Sequence, residues 1–348
     1  MTNIYGLTKK KLEEELVNIG EKSFRATQIF EWLYRKNAKS FDEMTNIKKE
    51  SIDKLKEKFV IERLNLEKEQ ISSDGTRKYL FRLNDNNFIE TVLMNHEYGL
   101  SVCVSTQVGC NMGCAFCASG LNKKVRNLET SEIVLQVLMI NEIMNNFDKR
   151  VSHVVVMGIG EPFDNYDNVI DFLRIINDPK GLEIGSRHIT VSTCGIVPKI
   201  IEYSDFDLQV NLAVSLHFAN NEKRSKYMLI NRAYDLNSLM DSLKYYFEKT
   251  NRRITFEYIL IKDVNDSVED AKELVKLIRG MNCYVNLIPM NSTVNDFTRS
   301  TEEKSKKFFE ILNNNHINVT LRKEQGHDID AACGQLRIKK MQGRIWLD

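Results

Sequence analysis

From Ser101 onward short apolar runs alternate with amphipathic ones, and that alternation constrains the fold of this chain more than any other feature. The apolar runs at 101–106, 153–158, 187–193, 208–216, 253–261, 284–289 and 317–323 have the length and composition of strands. Helical patterns, such as Ser131–Phe147, Leu236–Lys249 and Ser267–Met281, fill the gaps. Strands regularly separated by helices pair in parallel, because each return to the sheet needs a crossover long enough to hold a helix. The expectation is an α/β fold, a partial (β/α)6 barrel with its active site at the carboxyl ends of the strands.

Two other stretches flank this core. Residues 1–68 are rich in Lys and Glu and read as a small helical accessory domain, with Ile29, Trp32 and Leu33 on one apolar face. Residues 69–98 change to period-two alternation around Asn84-Asp85-Asn86-Asn87, a β-hairpin linker. Residues 99–325 then form the barrel core, and 326–348 a C-terminal loop and basic tail.

The loop after the first barrel strand carries Cys110, Cys114 and Cys117 in CxxxCxxC spacing. Three thiolates turned toward one point with no fourth ligand can hold a [4Fe–4S] cluster that keeps one iron open to chemistry. Tetrahedral zinc needs a fourth ligand in CxxC or Cys/His pairs, and the next histidine after Cys117 is as distant as His153. A disulfide framework is disfavoured because seven Cys in 348 residues is sparse and odd, and Met1-Thr2-Asn3-Ile4-Tyr5 runs into a charged helix rather than a signal peptide. A reducing cytoplasm is the expected compartment. No apolar run is long enough to span a membrane. With 42% hydrophobic residues the chain can bury a sizeable core, and a net charge of +1 means that any nucleic-acid contact relies on local patches.

Polar residues gather where barrel logic expects them. After the second strand comes Gly158-Ile159-Gly160-Glu161-Pro162, and at later strand ends come Ser192-Thr193, Ser215-Leu216-His217 and Pro289-Met290-Asn291. On spacing alone GxGE is equally a tight turn, His217 a satisfied core histidine, and Ser192, Ser215 and Asn291 turn caps. Cys103 in the first strand and Cys333 near the C-terminus read, on the same footing, as buried structural cysteines. Glu90 reads as one more alternating strand residue.

The cysteine motif resembles that of the radical S-adenosylmethionine (SAM) enzymes, whose open iron chelates SAM. Cys103-Val104-Ser105-Thr106-Gln107-Val108-Gly109-Cys110, Gly160-Glu161-Pro162, Ser215-Leu216-His217, Asn286-Leu287-Ile288-Pro289 and Asp328-Ile329-Asp330-Ala331-Ala332-Cys333-Gly334-Gln335-Leu336 together resemble the RlmN family. These are RNA methyltransferases acting on carbon 2 of adenine in 23S rRNA and in tRNA. The resemblance covers nearly the whole chain. It implies a [4Fe–4S] cluster on Cys110, Cys114 and Cys117, two SAM molecules per turnover, and SAM contacts from Gly160, Glu161, Ser192, Ser215, Leu216, His217 and Asn291.

It also implies why two further cysteines are needed. Carbon 2 of adenine is electrophilic, so a methyl cation cannot be transferred there directly. In the family a methyl placed on Cys333 loses a hydrogen to the 5′-deoxyadenosyl radical, and the resulting methylene adds to adenine. Glu90 is the proton acceptor, and Cys103 resolves the protein–RNA adduct through a transient disulfide with Cys333. A flavodoxin-type donor and a monomeric enzyme are expected.

RNA phosphates would meet local basic clusters: Lys123-Lys124 with Arg126, Arg252-Arg253, and Arg337, Lys339, Lys340 and Arg344 beyond Cys333. The alternative within the wider family is methylation of carbon 8 of a 23S rRNA adenine, the antibiotic-resistance reaction. Gln107-Val108-Gly109, Glu161-Pro162 and Gln325-Gly326-His327 depart from that pattern. A non-catalytic Fe–S protein that binds RNA would have no use for Cys333.

Overall fold

The computed structural model describes residues 1–121, 123–290, 297–322, 325, 326, 328 and 329. One ten-stranded sheet runs in chain order: β1 (Asn65–Ile71), β2 (Arg77–Arg82), β3 (Phe88–His96), β4 (Gly99–Cys103), β5 (Val151–Val156), β6 (Ile189–Thr193), β7 (Asn211–Ser215), β8 (Ile254–Leu260), β9 (Cys283–Pro289) and β10 (Asn318–Leu321). The first four strands pair antiparallel, and β4 to β10 pair in parallel. The helices are α1 (Lys9–Asn18), α2 (Arg25–Tyr34), α3 (Lys49–Lys58), α4 (Thr130–Asn145), α5 (Tyr166–Asn177), α6 (Val197–Tyr203), α7 (Asn221–Tyr227), α8 (Leu236–Thr250), α9 (Val268–Ile278) and α10 (Glu302–Asn314). From α4 onward, helices fill every crossover between parallel strands.

Side chains at the helix starts explain several of these boundaries. Glu129 and Glu132 form a reciprocal capping box at α4, Asp235 accepts from the Ser238 amide at α8, and Ser267 with Asp270 boxes α9. On the strands, alternation divides two environments. Val154, Val156, Val191, Leu212, Val214, Phe256, Tyr258, Val285 and Leu287 lie in the main apolar core that also holds the helix faces. The ring of Tyr258 lies 5.1 Å from that of Phe308 on α10, which marks this face as the helix side.

The opposite face lines a lumen. Register carries it across the sheet from Lys78 to Val92, from Val92 to Cys103 and from Cys103 to Val155. On the other side of the sheet it runs from Ser215 to Glu257, Asn286 and Thr320. The sheet curls far enough that Arg322, just after β10, places Nη2 3.6 Å from Sδ of Met94 on β3. The seven parallel strands and the helices between them make the expected partial barrel.

Two local readings change. Helix ends at Lys58 rather than near 68: Phe59-Val60 pairs in parallel with Thr2-Asn3, and Asn65–Ile71 is the edge strand β1. Its Glu and Lys residues favour helix in isolation, yet an edge strand tolerates charge because one side of it meets solvent. The hairpin of β2 and β3 is continuous with the barrel sheet through β3 and β4. The N-terminal helices share the main core, and the hydroxyl of Tyr34 donates to the Tyr5 carbonyl while that of Tyr5 donates to the Ala38 carbonyl.

Candidate active site

The cysteine loop leaves β4 by a path that is closely stitched to its neighbours. Gln136 of α4 clamps Ser105 from both sides, accepting from its amide at 2.8 Å and donating to its carbonyl at 2.9 Å. The Ser105 hydroxyl donates to the Glu90 carbonyl and accepts from the Ile159 amide, so one side chain joins the ends of β3, β4 and β5. Gln107 accepts from the Glu161 amide and donates to Asn127 and Asp164. A two-residue ladder, Gln107 with Asn127 and Val108 with Arg126, closes the base of the loop.

The glycines of the Gly158–Pro162 turn serve this stitching. A Cβ on Gly158 would stand 2.6 Å from the Val104 carbonyl oxygen, and one on Gly160, whose φ is +114°, 2.7 Å from Thr106 Oγ1 and Gln107 Cβ. Their smallness is therefore required by the contact between the two loops, whatever a cofactor asks of them.

Inside the loop, the Cys117 amide donates to the Cys114 carbonyl and the Ala115 amide to the Tyr227 carbonyl. Gly113 has φ +63°, and a Cβ there would strike Leu229 at 2.7 Å. The three cysteines are half-buried, and Cys114 and Cys117 pack with Phe116, Phe218, Met228, Ile261 and Met290. Burial pushes the Cys110 thiol up to about 12 and raises that of Cys114 too, the neighbouring thiols adding to both. A bound cation reverses that preference and draws thiolates. A single ion needs its ligands to converge at about 2.3 Å. Among the described residues no three His, Cys, Asp or Glu side chains do so. A multi-iron cluster asks only that three sulfurs ring a common space, and three half-buried cysteines on one loop hinged at Gly113, two of them packed in the same apolar cluster, fit that demand.

Around the loop the expected rim residues assemble. Glu161 is fully enclosed, and its carboxylate accepts from the Phe163 amide at 3.0 Å, the Thr193 hydroxyl at 2.7 Å and the Cys194 amide at 2.8 Å. Burial raises its pKa while those donors oppose the rise. His217 has φ +57°, and its Nδ1 accepts from the Ile259 amide at 3.1 Å, which leaves the ring proton on Nε2. Burial and the nearby Arg224 hold it down to about 3, so it is a neutral imidazole, edge-on to Phe116 at 5.0 Å. The hydroxyls of Ser192 and Ser215 stand 3.4 Å apart. The amides of Leu216 and His217 both donate to the Glu257 carbonyl.

Cys103 and Glu90 face the lumen together. Cys103 packs with Val92, Met94, Val155 and Met157, and it pairs in register with Val92, two residues from Glu90. Glu90 is buried, not solvated as its alternation suggests, and it forms an ion pair of 2.8 Å with the wholly buried Lys78. Cys333 and Asn291 lie outside the described residues.

Sequence reasoning missed Lys78 and Arg224. Arg224 on α7 is wholly buried and donates to the carbonyls of Cys194 at 2.6 Å and Leu216 at 3.3 Å and to Asn231 Oδ1 at 2.8 Å. One guanidinium thus ties together the ends of β6 and β7 and the segment after α7. One of three basic residues in the run Asn-Glu-Lys-Arg-Ser-Lys, it carries no local sign of burial. The basic cluster after the loop is less available to phosphate than its composition suggests: Lys124 pairs with Asp164, and Arg126 with Asp85 and Glu132.

A parallel partial barrel with a three-cysteine loop at its carboxyl rim defines a radical SAM enzyme, and the Radical SAM superfamily matches residues 104–278. The family described as ribosomal RNA large subunit methyltransferase N-terminal domain matches residues 2–61. A probable dual-specificity RNA methyltransferase RlmN of Spiroplasma citri is 59% identical over 97% of this chain and 98% of its own length. The corresponding protein of Enterococcus faecalis is 56% identical over 98% of this chain and 97% of its own. The crystal structure of a radical SAM methyltransferase from Sphaerobacter thermophilus superposes with a TM-score of 0.91 at 42% identity, covering 96% of this chain and 99% of that one. The chain belongs to the RlmN family of radical SAM RNA methyltransferases.

Proposed function

We propose that this enzyme methylates carbon 2 of adenine in 23S rRNA and in tRNA by way of a methyl group carried on Cys333. The observation that supports the reading most is the shared lumen face of Cys103 and Glu90, beneath the cysteine loop. It sets a thiol and a carboxylate at one cavity, as covalent transfer and its resolution require.

Cys110, Cys114 and Cys117 would hold a [4Fe–4S] cluster, with Glu161, Ser192, Ser215, His217, Gly160, Leu216 and Asn291 around SAM. When bound, that pair supplies one-electron chemistry able to remove hydrogen from an unactivated methyl group. The chain's own residues then do the rest. Cys333 takes its methyl by displacement, gives up one hydrogen from it, and bonds to the base through the remaining methylene carbon. Glu90, kept in place by Lys78, accepts the proton lost from carbon 2 as the odd-electron adduct gives back one electron. Cys103, as its thiolate, attacks the sulfur of Cys333; the carbon–sulfur bond to RNA breaks, its electron pair takes up a proton to complete the methyl group on the base, and an external reductant reopens the disulfide that forms. Neutral His217 offers Nε2–H as a donor without adding charge near the thiols.

Residues 1–68 and the basic residues beyond Cys333 would grip the RNA while the target base leaves its stack. A flavodoxin-type protein would feed electrons to a single copy of the chain. Cys333→Ala should abolish methylation and Cys103→Ala should leave RNA covalently joined to the protein, both read by gel shift and mass spectrometry. Free methylated RNA at parental rates from either variant overturns the scheme.

A further inference from the structure

We propose that Glu257 and Asn286 form a recognition site in the barrel lumen for the amine-bearing edge of an adenine. The inference rests on the methyltransfer reading above, in which two adenines, that of SAM and that of RNA, come to this cavity.

Glu257 stands in the middle of β8 between Phe256 and Tyr258, both of which point into the helix-side core. Its own side chain therefore faces the lumen, where register sets it beside Ser215 on one strand and Asn286 on the other. It is 4% exposed. Asn286 Nδ2 reaches Glu257 Oε1 at a long 3.4 Å, while Oε2 is buried with no hydrogen-bond partner among the described residues. Leaving a buried carboxyl oxygen unsatisfied costs about 1–3 kcal/mol or more, and native folds keep such groups rarely. A ligand edge that hydrogen-bonds to Oε2 in the working enzyme removes that cost.

The chemistry of the pair selects the donor. Burial raises the Glu257 carboxyl, with Arg322 and Asn286 opposing more weakly, which favours the neutral acid. A neutral carboxyl presents one acceptor and one donor side by side. That is the complement of adenine, whose exocyclic amine donates next to a ring nitrogen that accepts. The Asn286 amide adds a second donor and acceptor at the same level of the barrel. The backbone carbonyl of Glu257 meanwhile accepts from Leu216 and His217, so a base seated here lies directly against the proposed SAM-binding strand end.

The test compares anaerobically reconstituted parent, Glu257→Gln and Glu257→Leu. Each is measured for equilibrium binding of SAM and of a hairpin RNA carrying the target adenosine, and of the counterparts of both that lack the 6-amino group. Glu257→Leu should weaken binding of one of the two adenine ligands about tenfold and erase its preference over the amine-free counterpart, whereas Glu257→Gln, which keeps an acceptor beside a donor, should stay within about threefold. Loss on the SAM arm identifies the cofactor's adenine as occupant, and loss on the RNA arm identifies the substrate base. Unchanged binding of both ligands by Glu257→Leu, or equal loss for ligands with and without the amine, overturns the site. A parent that discriminates the amine yet makes no methylated adenosine would leave this site standing and refute the reaction instead.

Discussion

Arg224→Lys is the substitution from which the most can be learned. The guanidinium makes three bonds in a fork, two of them short at 2.6 and 2.8 Å and one long at 3.3 Å. Lysine keeps the charge but concentrates it at one point and cannot span three acceptors pointing in different directions. A well-formed charge-assisted bond contributes about 1.5–3 kcal/mol and the long one about 0.5–1, so losing one short bond and the long one should cost about 2–4 kcal/mol. The damage is directed as well as large. The Cys194 carbonyl belongs to the residue whose amide holds Glu161, and the Leu216 carbonyl to the strand end that carries His217. Urea unfolding at constant m-value measures the stability loss, and SAM binding by the reconstituted enzyme measures the spread to the rim. If Arg224→Lys remains within about 0.5 kcal/mol of the parent, as an ordinary surface change would, the claim that this arginine holds the strand ends together is wrong.

Four further outcomes follow from the structure. His217, depressed to about 3 against about 6.5 in an unfolded chain, contributes stability that is complete above pH 6.5 and lost as pH falls toward 3; the advantage of the parent over His217→Gln should shrink by about 2 kcal/mol between pH 7 and pH 5, and parallel curves would contradict it. Gly160→Ala combines a left-handed φ with a 2.7 Å contact to Thr106 and Gln107 and should cost about 1–3 kcal/mol and weaken SAM binding. Gly185→Ala, where a Cβ meets nothing within 4 Å, should be silent in the same urea-unfolding assay. Alanine at Cys110, Cys114 or Cys117 should each abolish matched iron and acid-labile sulfide content while far-ultraviolet circular dichroism stays parental; retention of iron by any one removes that cysteine from the ligand set.

Much of the barrel was legible because its strands obey local rules. The run Val151–Val156 is a short apolar block before a glycine turn, and Ile254–Leu260 alternates as a strand should, so both fall within a few residues of their expected places. The cysteine loop was legible for a related reason: its chemistry is written in consecutive residues. What stayed hidden depends on contacts distant in sequence. Asn65–Ile71 is a strand only because β2 offers it an edge, and Lys78 is buried only because Glu90 arrives on the next strand. Glu257 alternates between two core aromatics, which by pattern alone sends it to solvent; the curl of the sheet turns that face into a lumen. In the same way Lys124 and Arg126 look like free cations until Asp164, Asp85 and Glu132 fold against them.

The most direct measurement is chromatography with mass spectrometry of nucleosides from 23S rRNA and tRNA treated with the anaerobically reconstituted enzyme, SAM and a one-electron reductant. The account predicts 2-methyladenosine from both RNAs, formed by the parent and absent with Cys333→Ala. Appearance of 8-methyladenosine in its place, or of 2-methyladenosine from the Cys333→Ala variant, contradicts it.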